Sequence, residues 1–227
     1  MPKRARGADV RGPAKPRSPP ARAAGTTRAA QRAGTREQIR IAAQELFATI
    51  GFDETTTQAI AERAGVAAGT VFVHASDKTD LLSLVMHDRL EQVVNTAFAS
   101  LPDGTLVDRL MFVFRQVFAM YGEHPKLGAA FVSRFPSATG PNAQRVNMLT
   151  FGFLHRIALL VAESQARGEV ARDVDTIAAA QNVFALYFMA LLGWLSGRLT
   201  LETALDPTLR SSLELQMRGL RPSGTTE

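Results

Sequence analysis

Residues 56–78 read TTQAIAERAGVAAGTVFVHASDK, and this stretch decides the fold. It predicts a short helix, a tight turn and a second helix. Ile60 and Ala61 should point into a core, and Gly65 follows them where a left-handed helix cap favours glycine. Val71 comes ten residues after Ala61 and returns to the same core. This spacing is typical of a helix-turn-helix, whose second helix enters the major groove of DNA.

A further helix is predicted before this pair, because two short helices need a third side to enclose a core. Gly34 ends the preceding segment, and Thr35 with Gln38 forms a capping box that predicts the helix start. Apolar residues then recur at helical spacing. They are Ile39, Ala42, Ala43, Leu46 and Phe47. Residues 35–82 are therefore predicted to form a three-helix DNA-binding domain.

Residues 35–82 resemble the N-terminal domain of the TetR family of transcriptional regulators. Many positions match in order along this segment, which makes the resemblance specific. The matching positions are Thr35, Ala42, Ala43, Leu46, Phe47, Gly51, Phe52, Thr55, Thr56, Ile60, Ala61, Ala64, Gly65, Val66, Gly69, Thr70, His74, Lys78, Leu81 and Leu82. The rest of the chain matches the family in length and helical layout only.

The resemblance implies an all-α fold of about nine helices. The three-helix DNA-binding domain with its helix-turn-helix would be followed by a ligand-binding and dimerisation domain of about six helices over residues 100–221. A linker helix over residues 77–99 would join the two. The polar tail, residues 222–227, is expected to fray.

The recognition helix carries no charge between Ala67 and Val73, although the family usually has a lysine or arginine at Ala68 and a tyrosine at Phe72. Sequence reading would then depend on apolar contacts with thymine methyl groups, on hydroxyls and on backbone N–H groups. Lys78 and His74 are expected to contact phosphates. The predicted DNA-binding residues are Thr56, Thr57, Ala67, Ala68, Gly69, Thr70, Phe72, Val73, His74, Lys78 and Arg36.

The N-terminal segment is strongly basic. Residues 1–34 contain nine Lys or Arg and one acid, a net charge of +8, whereas the whole chain is +5, so residues 35–227 carry −3. With little to bury, residues 1–34 are predicted to be a disordered arm. A basic arm on a mildly acidic body indicates a polyanionic partner, most simply nucleic acid.

The apolar, Phe-rich body admits two interpretations. Phe and Met at helical spacing usually fill a core, whereas the family resemblance implies a pocket for a small hydrophobic effector. The candidate polar contacts are Arg115, Asn147, His155 and Gln181, and the candidate walls are Phe118, Phe131, Phe151, Phe184 and Tyr187.

Residues 176–197 contain no charge and approach the length of a membrane span. Gln181, Asn182 and the lack of a second predicted span argue against that alternative. The two C-terminal helices of each subunit are instead predicted to form a four-helix homodimer interface. The favoured function is a repressor released from a palindromic operator by an apolar ligand; the alternative is a membrane-associated helical protein using residues 176–197.

An enzyme is not expected. The chain has no cysteine, and its four histidines lack metal-ligand spacing. No nucleophile elbow, phosphate-binding loop or dinucleotide fingerprint is present. No cofactor or metal is therefore predicted. The first residues lack the apolar core of a secretory signal, which favours a cytoplasmic bacterial protein that associates with the nucleoid when bound to DNA.

Overall fold

The computed structural model describes residues 23–221, with side chains from residue 27 onward. Every regular element in this part of the chain is helical, which confirms the predicted all-α fold. The helices are α1 Ala23–Thr49, α2 Thr57–Ala64, α3 Ala68–His74, α4 Lys78–Ala99, α5 Leu106–Glu123, α6 Pro125–Arg134, α7 Pro141–Ala166, α8 Thr176–Leu195, α9 Leu201–Thr203 and α10 Arg210–Gly219.

The first helix starts earlier than predicted. α1 begins at Ala23, so the expectation of disorder is wrong for residues 23–34. Thr35 does not cap the helix; its hydroxyl donates to the Gln31 carbonyl at 3.0 Å within α1. An interior glycine such as Gly34 costs about 1 kcal/mol, which the surrounding Ala, Arg and Gln residues, all good helix formers, offset. Residues 1–22 and 222–227 lie outside the described residues.

The helix-turn-helix forms as predicted. The Thr56 hydroxyl accepts the Ala59 N–H at 3.0 Å and caps α2. Gly65 adopts φ 68°, and its N–H donates to the Glu62 carbonyl. The three helices α1, α2 and α3 enclose a core of fully buried apolar side chains. They include Ile39, Ala43, Phe47, Ile60, Ala61 and Val71.

The long helix α4 connects this domain to the rest of the protein. The Asp77 carboxylate caps it by accepting the Asp80 N–H at 2.8 Å. α4 packs against α1 at one end and against α5 and α7 along its length. It therefore has the position expected of the linker helix.

The body is built around α5, which buries most of its length. Aromatic rings fill its centre, where Phe114 stacks on Tyr187 at 4.6 Å and Phe118 stacks on Trp194 at 5.4 Å. α7 and α8 pack side by side. Asp206 is extended (φ −141°, ψ 120°) and separates α9 from the last helix, α10.

One outer face of α7 and α8 is apolar. The side chains of Met148, Phe151 and Leu159 on α7 and of Ile177 and Met189 on α8 are about half exposed or more. Within the described residues, α7 and α8 both have the length and apolar composition to cross a membrane, although core helices of soluble proteins meet the same criteria. The sequence predicted no second candidate span besides residues 176–197, and α7 shows that this expectation is wrong.

Candidate DNA interface and ligand cavity

The outer face of α3 presents apolar groups to solvent. Phe72 and Val73 are each more than half exposed, while Val71 is buried against the domain core. Ala67 and Gly69 are also exposed. Ala68, Thr70 and Thr57 are half-buried, and Thr56 is exposed at the start of α2. This face has the shape and exposure that a major-groove helix requires, but it lacks charge.

Lys78 has a different role from the one predicted. Its ammonium donates to the carbonyl oxygens of Phe52, Asp53 and Thr55 at 2.8, 3.0 and 3.0 Å. It also lies 4.5 Å from the centre of the Phe52 ring. An ammonium has three protons, and all three are used here. The expected phosphate contact is therefore wrong for this conformation, in which Lys78 holds the turn between α1 and α2.

Arg36 also points away from the DNA-binding face. Its Nη1 lies 3.9 Å from the Asp88 carboxylate on α4, and its Nη2 is enclosed without a hydrogen-bond partner. Burial lowers the pKa of the Arg36 guanidinium, and the nearby Arg145 lowers it further. The predicted DNA contact of Arg36 is not available in this arrangement.

His74 ends α3 beside the basic flank of α1. Burial, followed by the charges of Arg32 and Arg36, lowers the pKa of His74. The imidazole is therefore neutral at pH 7 and would meet a phosphate as a hydrogen-bond donor rather than as a cation. Arg28 and Arg32 are exposed on α1, so the cations nearest the end of the recognition helix come from a helical segment, not from a disordered arm.

A fully buried carboxylate ties the end of α3 to the start of α7. Asp80 accepts the Ser76 N–H at 3.0 Å, the Asn142 and Ala143 N–H groups at 2.9 Å, and the Asn142 side-chain amide at 3.0 Å. That amide also donates to the His74 carbonyl at 2.9 Å. We call this group the Asp80 latch. The sequence does not reveal this group, because the partners of Asp80 on α7 lie about sixty residues further along the chain.

A second contact joins α6 to the loop after α1. The Arg134 guanidinium donates to the Asp53 carboxylate at 2.7 Å and lies 4.3 Å from the centre of the Phe52 ring. The body therefore holds the DNA-binding domain at two points besides α4.

An apolar cavity lies between α4, α5, α6, α7 and α8. Its volume is about 60 Å³. Its lining comprises Leu90, Val94, Val117, Tyr121, Phe131, Val132, Phe135, Val146, Leu149, Thr150, Phe153, Phe184, Tyr187, Phe188 and Leu191. The cavity has the chemistry of a hydrophobic ligand site, but in this conformation its side chains nearly fill it.

Three of the predicted pocket residues line this cavity, namely Phe131, Phe184 and Tyr187. Phe118 is buried behind them, against Tyr187. The remaining five are exposed, and their prediction as pocket residues is wrong for this structure. They are Arg115, Asn147, Phe151, His155 and Gln181. The helical rotation of α7 explains the error, because it turns Val146, Leu149 and Phe153 inward and the other three α7 residues outward.

Twelve of the fifteen lining residues were missed, and three of them are instructive. Leu90 and Val94 belong to α4, which was predicted only as a linker, and Tyr121 was assigned to the end of a core helix. The helical spacing of Leu90 and Val94 places both on the buried side of α4, and this signal could have identified them. Because α4 both lines the cavity and enters the DNA-binding domain, a bound ligand would contact the connection directly.

His87, Asp88 and Glu91 bring their ligand atoms within 4.8 Å of one another on α4. His87 is buried and bonded to Asp88 at 2.7 Å. Arg36 and Arg145 also face Asp88, at 3.9 and 3.7 Å. These two cations already neutralise the carboxylate, so the cluster is a poor fit for a metal ion.

Comparisons with known proteins agree with this geometry. Residues 39–85 match the sequence profile of the bacterial regulatory proteins of the tetR family. The fatty acid metabolism regulator protein of Bacillus subtilis (strain 168) is 23% identical over 158 residues, covering 69% of this chain and 81% of that protein. FadR from Bacillus halodurans superposes with a TM-score of 0.63 at 22% identity over 82% of this chain and 99% of that one. FadR from Thermus thermophilus, solved with lauroyl-CoA, superposes with a TM-score of 0.63 at 25% identity over 85% and 99%.

An exposed recognition helix joined to a helical body defines a DNA-binding transcriptional regulator. The profile match covers α2, α3 and the start of α4, and the structural likeness extends over the body as well. Residues 39–85 of this chain therefore match the tetR family, and the described body shares its fold with the FadR structures.

Proposed function

We propose that this protein is a transcriptional repressor that leaves its operator when an apolar ligand enters the cavity. The observation that carries the proposal is the Asp80 latch. α7 lines the cavity through Val146, Leu149 and Phe153, and its first residues hold the end of the recognition helix. A ligand that displaces α7 would therefore displace α3.

We propose an acyl thioester of coenzyme A as the ligand, because the similar FadR of Thermus thermophilus was solved with lauroyl-CoA. The cavity is too small for such a chain as it stands. Binding must therefore move α7 or α8 outward, from the conformation of this structure to an open one. The operator affinity then falls by the ratio of the ligand's affinities for the open conformation and for this one. A 50-fold ratio corresponds to about 2.3 kcal/mol.

The active unit is proposed to be a homodimer. The exposed apolar face of α7 and α8 favours these two helices as the interface, whereas the sequence predicted the helix over residues 177–199, which is α8, together with the last helix. Two helices from each subunit would form a four-helix bundle. A two-fold axis there would place two copies of α3 on successive turns of a palindromic operator, about 34–36 Å apart. A protein with this role works in the bacterial cytoplasm.

A mobility shift with DNA from beside the protein's own gene tests the proposal. We expect a sequence-selective shift that weakens as salt increases and that lauroyl-CoA reverses at micromolar concentration. Free coenzyme A is the matched control and should leave the shift unchanged. The absence of any selective shift contradicts the repressor role, and a shift that lauroyl-CoA leaves intact contradicts the proposed ligand.

The second candidate is a membrane-associated role, favoured by the apolar length of both α7 and α8. The exposed apolar residues would then face lipid and not a second subunit. Cell fractionation separates the two, since recovery of the full-length protein without detergent rules out the membrane role.

A further inference from the structure

The cavity contains two hydroxyl groups with no protein partner. Tyr121 on α5 and Tyr187 on α8 are 4% and 5% exposed, and both line the cavity. Neither hydroxyl has a hydrogen bond within the described residues, whereas the Thr150 hydroxyl is bonded to the Val146 carbonyl at 3.0 Å. Both hydroxyl oxygens keep accessible surface, since neither is among the enclosed unpartnered atoms of the described residues, and both are therefore free to bond a group that enters the cavity.

Both phenol rings are fixed in place. Tyr187 stacks on Phe114 at 4.6 Å and meets Phe118 edge-on. Tyr121 presses on α6 so closely that a Cβ at Gly128 would lie 2.8 Å from its ring. The rings therefore cannot swing out of the cavity to find other partners.

The hydroxyls also stay neutral. Burial raises the pKa of Tyr121, and burial together with the neighbouring Tyr121 raises that of Tyr187. At physiological pH each presents an O–H donor. Among the lining residues of the described chain there is no charged side chain to balance an ionised ligand, and burying a carboxylate without a partner is costly.

We propose that the cavity selects a ligand whose apolar body carries a neutral carbonyl, as in a ketone, an ester or a thioester, held by hydrogen bonds from Tyr121 and Tyr187. This inference rests on the proposed function and deepens it. An acyl thioester satisfies it and a free fatty acid does not. The wall of apolar side chains binds the chain, and the two phenols determine which functional group is accepted.

The test uses the full-length protein and its single tryptophan. Trp194 stacks on Phe118, which touches Tyr187, so its fluorescence should report occupancy of the cavity. The probes are 2-undecanone, its isostere 2-methyl-1-undecene, in which a methylene replaces the carbonyl oxygen, and decanoate. We expect the ketone to bind at least about 10-fold more tightly than the isostere, since each hydrogen bond contributes roughly 2- to 10-fold. Decanoate should bind more weakly than the ketone.

Tyr121→Phe and Tyr187→Phe remove only the hydroxyls. Each should reduce the preference for the ketone about 3-fold or more, and the double variant should abolish it, with the affinity for the isostere unchanged. Ser133→Ala is the control: it removes an exposed hydroxyl outside the cavity lining that is already bonded to the Ala130 carbonyl, and it should leave the preference intact.

Equal binding of the ketone and the isostere by the wild type overturns the inference, as does tighter binding of decanoate or no binding of any probe. A preference that survives in the double variant overturns it too. The mobility shift without ligand, measured on the same preparations, is the separate readout of the proposed function. A protein that shifts its operator but shows no carbonyl preference therefore refutes this inference alone.

Discussion

At the scale of the residue, Lys78 is the clearest case of a side chain that works inside the domain. Lys78→Met keeps the stem and removes the ammonium, leaving three carbonyls without their donor. Hydrogen bonds to a charged group contribute about 1.5–3 kcal/mol, and 1 kcal/mol shifts the melting temperature of a chain this size by about 2–4 °C. We expect a decrease of roughly 5 °C by calorimetry.

Lys126→Met is the control, because Lys126 is exposed on α6 and has no bonded partner among the described residues. Its melting temperature should change by less than about 1 °C, as is usual for surface substitutions. If Lys78→Met melts like the wild type but weakens binding to all DNA sequences equally, the lysine contacts phosphate after all.

Residue-scale prediction succeeded where the determinants are local. The left-handed Gly65 follows from neighbouring residues and formed as expected, and the cap at Thr56 depends on equally local contacts. The hydrogen-bond partners of the Lys78 ammonium could not be predicted, because its three acceptors lie more than twenty residues earlier in the chain. The same reason hid the Asp80 latch, whose partners on α7 are about sixty residues away.

At the scale of the element, α1 brings a basic helix close to the recognition helix. Arg28 and Arg32 are exposed on its first half. If both meet phosphates, Arg28→Ala with Arg32→Ala releases about two fewer counterions and flattens the slope of log affinity against log salt by about 1.8. Titrations at several salt concentrations measure this. A double change at the distant exposed Arg172 and Arg198 should leave the slope unaltered, and an equal effect of both pairs would point to net charge alone.

α7 is expected to transmit the ligand signal, because it lines the cavity and its first residues bond to Asp80. Asn142→Ala removes the amide that bonds both Asp80 and the His74 carbonyl. We expect ligand affinity without DNA to stay within about 2-fold, while the loss of operator affinity on adding lauroyl-CoA falls from about 50-fold to below 5-fold.

Asn147 is an exposed asparagine on the same helix, and Asn147→Ala should preserve the full response. Should Asn142→Ala also keep it, the coupling must pass through α4 or Arg134 instead. Fluorescence titration of Trp194 and the mobility shift provide the two readouts.

At the element scale, helix existence and most boundaries could be predicted from periodicity and caps, as for α6 with Pro125 at its start. The start of α1 could not, because Ala, Arg and Gln favour a helix even without an apolar face. Only three of the nine predicted pocket residues line the cavity, for a related reason. The sequence places apolar rings at both Phe151 and Phe153 of α7, and only packing decides that Phe153 turns inward and Phe151 outward.

At the scale of the whole molecule, the arrangement of two subunits would determine whether two copies of α3 can bind the two half-sites of one operator. Met148→Glu with Phe151→Glu places two charges on side chains that are 69% and 65% exposed in the single chain. If this face is the dimer interface, the variant should be monomeric by light scattering. Its operator affinity should fall at least about 100-fold, since only one half-site is held.

Leu215 on α10 is equally exposed, at 69%, and provides a matched control on the helix that the sequence favoured. Leu215→Glu should leave the dimer intact. The reverse result, a monomer from the α10 change and a dimer from the α7 changes, would restore the interface that the sequence predicted.

Gly140 is a position at which substitutions are expected to abolish repression. It immediately precedes α7 with φ 108°, and a Cβ there would come within 2.6 Å of the Asp80 carboxyl carbon. In a selection for constitutive expression of a reporter gene, this codon should accumulate substitutions of nearly every kind. The residue would score as indispensable for silencing although it touches neither DNA nor effector.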